Sequence, residues 1–71
     1  MITKQEWMAL EEELNDLWMN KLKVAMDRLR AARELGDLSD NPEYDAAFEE
    51  RKRICDRIDE IKSILENADQ L

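Results

Sequence analysis

The only glycine and the only proline of the chain, Gly36 and Pro42, stand close together near its middle. Tight turns depend on these residue types, so the rest of the sequence cannot supply the many turns of a small β-barrel or sandwich. A length of 71 residues also allows one domain at most and leaves no room for a large enzyme core. The expected fold class is therefore all-α, with a single break in the chain.

Composition excludes several classes of protein. Hydrophobic residues make up 44% of the chain and charged residues 41%, a mixture typical of long amphipathic helices or a coiled coil. With a net charge of −7, the molecule as a whole should repel nucleic acid, so any such contact must be local. Histidine is absent and Cys55 is the single cysteine, which excludes an internal disulfide, most zinc sites and histidine-based nucleophile systems. The sequence has neither a membrane-length apolar run nor the features of a signal peptide, so we expect a cytoplasmic protein without membrane contact.

A first helix is expected over about residues 4–35. Thr3 and Glu6 have the spacing of a capping box, and Gly36 suits the left-handed position after the last helical turn. The apolar residues recur three or four positions apart with one change of frame that resembles a coiled-coil stutter: Trp7, Leu10, Leu14 and Leu17, then Trp18, Leu22, Ala25, Leu29 and Ala32.

A second helix is expected over about residues 42–68, after a tip loop of about residues 36–41. Asn41 is the expected cap and Pro42 fits the first helical position. The seam positions alternate three and four apart, and only one of them is polar: Tyr44, Ala47, Arg51, Ile54, Ile58, Ile61, Leu65 and Ala68. Two helices joined by a short loop pack antiparallel. The predicted architecture is a long antiparallel two-helix coiled-coil hairpin with an acidic loop at the tip.

The predicted tip is the most acidic part of the molecule, because residues 34–50 hold seven acidic side chains and no basic one. Mg²⁺ commonly takes one or two protein carboxylates and finds its other ligands elsewhere. Asp37 and Asp40 could therefore complete a metal site that a partner mainly supplies, although they could not build one alone. The alternative is that both aspartates only solvate the turn while Asp40 or Asn41 caps the second helix.

Two further groups of residues have more than one interpretation. A basic stretch precedes the tip and could follow the phosphates of a nucleic acid, or could be solvated charge whose stems cover the seam: Lys21, Lys23, Arg28, Arg30 and Arg33. A second group lies off or beside the seam, so either partial burial, a further domain, a second copy of the chain or a partner could account for it: Trp18, Met19, Met26 and Phe48.

The segment from Ala32 to Ala47, ARELGDLSDNPEYDAA, resembles the loop signature of the bacterial Gre transcript cleavage factors. The first helix resembles them as well, at Thr3, Leu10, Glu13, Leu14 and Leu17. The resemblance implies that residues 1–71 correspond to the coiled-coil N-terminal domain of that family. The FKBP-like C-terminal domain of the family is absent, so the chain is either an excised domain or a natural stand-alone hairpin.

The resemblance implies a transcription elongation factor that enters the secondary channel of bacterial RNA polymerase and stimulates the polymerase to cleave backtracked RNA. Such a factor is not itself an enzyme and has no cofactor of its own. Asp37 and Asp40 fall on the two acidic tip positions that assist catalysis, and would share Mg²⁺ with the polymerase active site. Five residues match the positions that shape the tip: Gly36, Asn41, Pro42, Glu43 and Tyr44. The basic residues that would contact the RNA 3′ end are Lys21, Lys23, Arg28, Arg30 and Arg33.

The sequence departs from the family pattern at two places. Many members have glutamate at the position of Asp40, and many have a basic pair followed by proline where this chain has Lys21, Leu22 and Lys23. Two alternative functions stay open: a Gre-like inhibitor that binds the same channel, and a structural or adaptor coiled coil. Self-association also stays open, and DNA would be met only through the elongation complex.

Overall fold

The computed structural model describes residues 2–34, 36 and 41–68 of the chain. These residues form three α-helices and one π-helical turn: α1 (Lys4–Asp16), the π-helical turn (Leu17–Lys21), α2 (Leu22–Glu34) and α3 (Pro42–Asn67). α1, the π-helical turn and α2 follow one another without a break and make up the first arm of the molecule, and α3 makes up the second arm. The predicted all-α helical hairpin is confirmed.

The first arm begins at Thr3, as its sequence predicts. The Thr3 hydroxyl oxygen accepts a hydrogen bond from the Glu6 N–H at 3.0 Å, which satisfies one of the amides that a helix start leaves without a partner. The Glu6 carboxylate in turn accepts from the Thr3 hydroxyl at 3.1 Å. The expected capping box is therefore half formed. The bond from the Glu6 N–H to Thr3 is present, but the Glu6 carboxylate bonds the hydroxyl of Thr3, whereas in the full motif it bonds the backbone N–H of the cap residue.

The π-helical turn lies where the apolar pattern changes frame. The N–H of Leu22 donates to the carbonyl of Leu17, five residues earlier, so one turn of the first arm contains an extra residue. This five-residue step keeps Leu17 and Ala25 on the same buried face. Trp18 belongs to the apolar repeat but was expected to lie off or beside the seam, and it is 47% exposed, while Leu22 continues the seam as expected.

The seam of α3 follows its predicted alternation. Ala47, Ile54, Ile58 and Ile61 are buried, and the remaining predicted positions are half-buried: Tyr44, Arg51, Leu65 and Ala68. Ala68 already has an extended backbone, so the helix stops one residue before the predicted end. The main core cluster joins both arms and consists of Leu17, Ala25, Ile54, Ile58 and Ile61, with Leu10, Leu14, Leu22 and Leu65 packed against it.

The two arms run antiparallel and are joined by an ion pair far from the tip. The guanidinium of Arg57 in α3 donates to both carboxylate oxygens of Glu13 in α1, with N···O distances of 2.6 and 2.9 Å. It also bonds Glu60 at 2.9 Å. The hydrogen bond from Arg57 lowers the pKa of Glu13, and the same bond raises the pKa of Arg57. The molecule is a rod with extents of 52 × 17 × 13 Å.

Across the part of the chain that the structure describes, no helix combines the length and the apolar character needed to cross a membrane.

Candidate functional site

The two acids expected at the tip, Asp37 and Asp40, lie outside the described residues, so their predicted roles stay predictions. The structure does place the residues on either side of the segment 37–40, which are Gly36 and Asn41. Gly36 and Asn41, with the helices that hold them, therefore fix where this short segment begins and ends.

Gly36 stands at the end of the first arm in a conformation that favours glycine. Its φ is +106°, a value that residues with a Cβ rarely adopt. Its N–H donates to the carbonyl of Arg33 at 3.2 Å, which satisfies one of the last carbonyls of α2. The positive φ expected of the single glycine is confirmed, and the backbone of Gly36 is tied to the last turn of α2.

Asn41 connects the two arms through both halves of its side-chain amide. Its Oδ1 accepts from the N–H groups of Glu43 at 3.0 Å and Tyr44 at 3.4 Å, which caps the start of α3. Its Nδ2 donates to the carbonyl of Ala32 in α2 at 3.3 Å. Pro42 occupies the start of α3, where a missing N–H costs nothing. The capping role was predictable from sequence, but the bond to Ala32 was not.

Glu43 and Tyr44 flank this cap on the second arm. Glu43 and Asp45 lie in the first turn of α3, where the partial positive charge of a helix start favours carboxylates. Glu43 also lines a surface groove together with Arg28 of α2. The half-buried ring of Tyr44 stacks on that of Phe48, with ring centroids 6.2 Å apart. All five residues expected to shape the tip therefore lie at the joined end of the hairpin.

The basic stretch is exposed throughout and is divided between two faces of the first arm. Each residue of an α-helix turns by about 100°, so Arg28 and Arg30 point to nearly opposite sides. On one side Lys21 and Arg28 line a groove with Asn20, Val24, Ala25 and Glu50. On the other side Arg30 and Arg33 line a second groove, while Lys23 lines neither. A continuous stretch in sequence is thus two separate surfaces in space.

We call the second surface the three-arginine groove, because its lining consists of Met26, Leu29, Arg30, Arg33 and Arg51. Arg51 comes from α3, where it is the one polar residue in the predicted apolar seam. That departure from the apolar pattern was the sequence signal that this position differs from the rest of the seam. Arg30 has an ion pair with Asp27 at 3.8 Å, but both side chains are mostly exposed, so this pair holds the arginine weakly. Three guanidinium groups around an apolar floor suit a phosphate-bearing ligand.

The residues predicted to lie off the seam are exposed as large apolar side chains: Trp18, Met19, Met26 and Phe48. Trp18 is partly covered by Lys62, whose Nζ lies 5.4 Å from the ring centroid. Phe48 precedes Arg51 by one helical turn, so it continues the side of α3 that faces the three-arginine groove. Cys55 is a half-buried free thiol.

The described residues contain no cluster of three or more carboxylate or thiol side chains able to hold a metal ion. A site that uses only Asp37 and Asp40 would have two carboxylates. This donor set fits Mg²⁺ held jointly with ligands from another molecule.

The chain is similar to known proteins over nearly its whole length. The family described as "Transcription elongation factor, N-terminal" matches residues 1–69. A protein of Lachnoclostridium phytofermentans named "Transcription elongation factor GreA" is 48% identical over 69 residues, which cover 97% of this chain and 43% of the relative. Proteins of the same name are 44% identical in Thermotoga petrophila, over 96% of this chain and 44% of the relative, and 40% identical in Bacillus cereus, over 94% and 42%.

The chain thus spans less than half the length of the curated relatives to which it was compared. No solved structure is similar enough to count as a match.

Proposed function

Because this chain belongs to the family of N-terminal domains of transcription elongation factors, we propose that it enters the secondary channel of bacterial RNA polymerase and stimulates the cleavage of backtracked RNA. The match covers both arms and the tip, which are the parts that this function needs. The chain hydrolyses nothing alone, and its role is to bring side chains to the active site of the polymerase.

The observation that carries the proposal is the shape of the molecule together with the way its end is fixed. A rod of 52 × 17 × 13 Å has the elongated shape expected of a molecule that acts at the far end of a channel. Gly36 and Asn41 tie both ends of the segment 37–40 to the last turns of α2. This arrangement supports a function in which Asp37 and Asp40 are presented at the end of the rod.

The acids of the tip suit a metal that belongs to the polymerase. Mg²⁺ bound there would activate water and stabilise charge on the scissile phosphate. Asp37 and Asp40 would each contribute a carboxylate oxygen to that ion, and the polymerase would provide the remaining protein ligands. The contribution of this chain is therefore to carry negative charge into a site that it does not itself complete.

The basic residues proposed to contact RNA lie on two faces of the first arm. The three-arginine groove gathers Arg30, Arg33 and Arg51, and Phe48 extends this side with an exposed aromatic ring. Arginines with an adjacent aromatic ring are typical of single-strand binding surfaces. The groove of Lys21 and Arg28 also includes Glu50, which weakens its attraction for phosphate. We therefore assign the RNA contact to the three-arginine groove.

The tip is tested by RNA cleavage in a stalled, backtracked elongation complex with Mg²⁺, using the chain at high concentration. We expect the wild-type chain to release short 3′ fragments, and Asp37→Ala/Asp40→Ala to lower the cleavage rate by at least about tenfold, as loss of metal-site residues commonly does. Asp56→Ala/Asp59→Ala is the matched control, since it removes the same charge from exposed positions of α3. Equal rates for the two double variants would contradict the proposal.

The same assay separates the alternative functions. A channel-binding inhibitor would slow nucleotide addition without releasing RNA fragments, and its effect would depend on the tip acids. A structural coiled coil would change neither activity. Either result would replace the proposal.

The RNA contact is tested with two variants of equal charge on opposite faces. Arg30→Gln/Arg33→Gln should raise the concentration needed for half-maximal cleavage, and the change should shrink at high salt because phosphate contacts are screened. Lys21→Gln/Arg28→Gln should have a smaller effect. The reverse order would assign the RNA to the other face.

A further inference from the structure

The side chain of Asn41 bonds both arms of the hairpin at its joined end. Ala32 and Arg33 are consecutive residues in the last turn of α2, where helix carbonyls lack intrahelical partners. Asn41 donates to the first of these carbonyls and Gly36 to the second. Both ends of the segment 37–40 are therefore anchored on the same helical turn, one through a backbone N–H and the other through a side-chain amide.

Capping alone does not account for an asparagine at this position. Aspartate and serine cap helices about as well as asparagine, because capping needs only an acceptor oxygen. The bond to the Ala32 carbonyl needs a donor on the same side chain, and ionised aspartate has none. The Nδ2 group of Asn41 is thus the part of the side chain that bonds α2, while Oδ1 serves α3.

We infer that the Asn41 carboxamide is a positioning group that fixes the start of α3 against the last turn of α2 and so sets where the tip presents its carboxylates. This inference rests on the proposed function for its effect on catalysis. Asp40 directly precedes Asn41, and Asp37 directly follows Gly36. A metal shared between two proteins tolerates little error in position, since a displacement of about 1 Å can lower a rate by about a hundredfold.

The test uses variants that separate the two halves of the amide. Asn41→Asp and Asn41→Ser keep an acceptor for the N–H groups of Glu43 and Tyr44, whereas Asn41→Ala removes both halves. The serine hydroxyl can donate, but its oxygen stands one bond nearer the backbone than Nδ2, which already lies 3.3 Å from the Ala32 carbonyl oxygen, so serine should not reach that oxygen. Serine is included because aspartate adds a charge next to the tip. Amide hydrogen exchange in the 71-residue chain should show Glu43 and Tyr44 protected in the wild type and in the Asp and Ser variants, but not in the Ala variant.

The catalytic measurement is cleavage in the backtracked complex over a range of chain and Mg²⁺ concentrations. For Asn41→Asp and Asn41→Ser we expect the half-saturating chain concentration to stay within about twofold, while the maximal rate falls about tenfold to a hundredfold. The Mg²⁺ concentration needed for half-maximal rate should rise. A cap that only stabilised the helix would leave the maximal rate and the Mg²⁺ dependence unchanged in these variants.

Two outcomes would overturn the inference. One is an Asn41→Ser variant that cleaves RNA at the wild-type maximal rate and with the wild-type Mg²⁺ dependence. The other is a wild-type Asn41 side-chain NH₂ that exchanges as fast as a solvated amide, which would show that the bond to Ala32 is not formed. If the wild-type chain stimulates no cleavage while this NH₂ is protected, the proposed function fails and the bond between the arms stands.

Discussion

Deletion of Met19 from the π-helical turn should leave the hairpin folded, whereas deletion of Asp27 from α2 should unfold it. Both side chains are exposed, and Met19 is 65% exposed, so neither deletion removes a core residue. The two deletions differ mainly in where they fall relative to the seam, because the ion pair with Arg30 that the Asp27 deletion also removes is exposed and weak. Comparing their stabilities therefore tests whether the hairpin needs the extra residue of the π-helical turn in order to fold.

The expected magnitudes follow from the geometry of the helix. Without Met19 the step from Leu17 to Leu22 shortens to four residues, close to the 3.6 of an α-helical turn, so every later seam residue keeps its face. We expect the free energy of unfolding to change by less than about 1 kcal/mol, since no buried group is lost.

Deletion of Asp27 turns Leu29 and Ala32 by about 100° away from α3. Leu29 is 4% exposed, and burial of a leucine side chain contributes about 1.5–3 kcal/mol. The bond between Ala32 and Asn41 would be lost as well. A chain of this size has only about 3–5 kcal/mol from its single core, so these losses approach its whole stability.

Urea unfolding, followed by the helical signal in circular dichroism, would compare the two deletions with the wild type. The reasoning predicts a midpoint near that of the wild type for the Met19 deletion and no cooperative transition for the Asp27 deletion. It would be refuted if both deletions unfolded the chain, because the π-helical turn would then be required, or if the Asp27 deletion were as stable as the wild type.

Three further predictions concern stability. The hydrogen bond from Arg57 lowers the pKa of Glu13 in the folded protein. This bond therefore stabilises the fold at pH values above the unfolded pKa of about 4.3, and the stabilisation is lost as the pH falls through the lower pKa of the folded state. The melting temperature should accordingly fall more on acidification in the wild type than in Glu13→Gln. Gly36→Ala should destabilise the hairpin by about 1 kcal/mol or more in urea unfolding, because the φ of Gly36 is +106°. The added Cβ would meet no neighbouring atom, so the cost comes from the backbone conformation alone. Gly36→Asn should cost less, since asparagine tolerates positive φ. Ile61→Ala should cost about 2–5 kcal/mol, because Ile61 is fully buried, and Ile61→Val should cost about 1 kcal/mol in the same assay.

Local chemistry made the helix boundaries and the seam of α3 predictable. Thr3 and Asn41 cap helices because their side-chain oxygens accept from free N–H groups, and Gly36 ends the first arm because it tolerates positive φ. The isoleucines of α3 repeat regularly, so the pattern itself identifies the buried face.

The parts that the sequence did not predict depend on contacts between the arms. The frame change was visible in the apolar pattern, but the sequence did not show that a π-helical turn would accommodate it. Arg51 joins Arg30 and Arg33 only because the arms lie side by side. The donor bond of Asn41 likewise needs a carbonyl from the other arm.

The distribution of core side chains along the hairpin explains why polar bonds matter most at the tip. The main cluster packs leucines and isoleucines away from the tip, where Arg57 and Glu13 also join the arms. Nearer the tip the buried residues include Ala32 and Ala47, which add little apolar area. Small side chains let the arms approach closely, but they leave that end more weakly held by packing. The bonds of Gly36 and Asn41 then fix the joined end, so loss of the Asn41 donor should affect the position of the tip more than the stability of the hairpin.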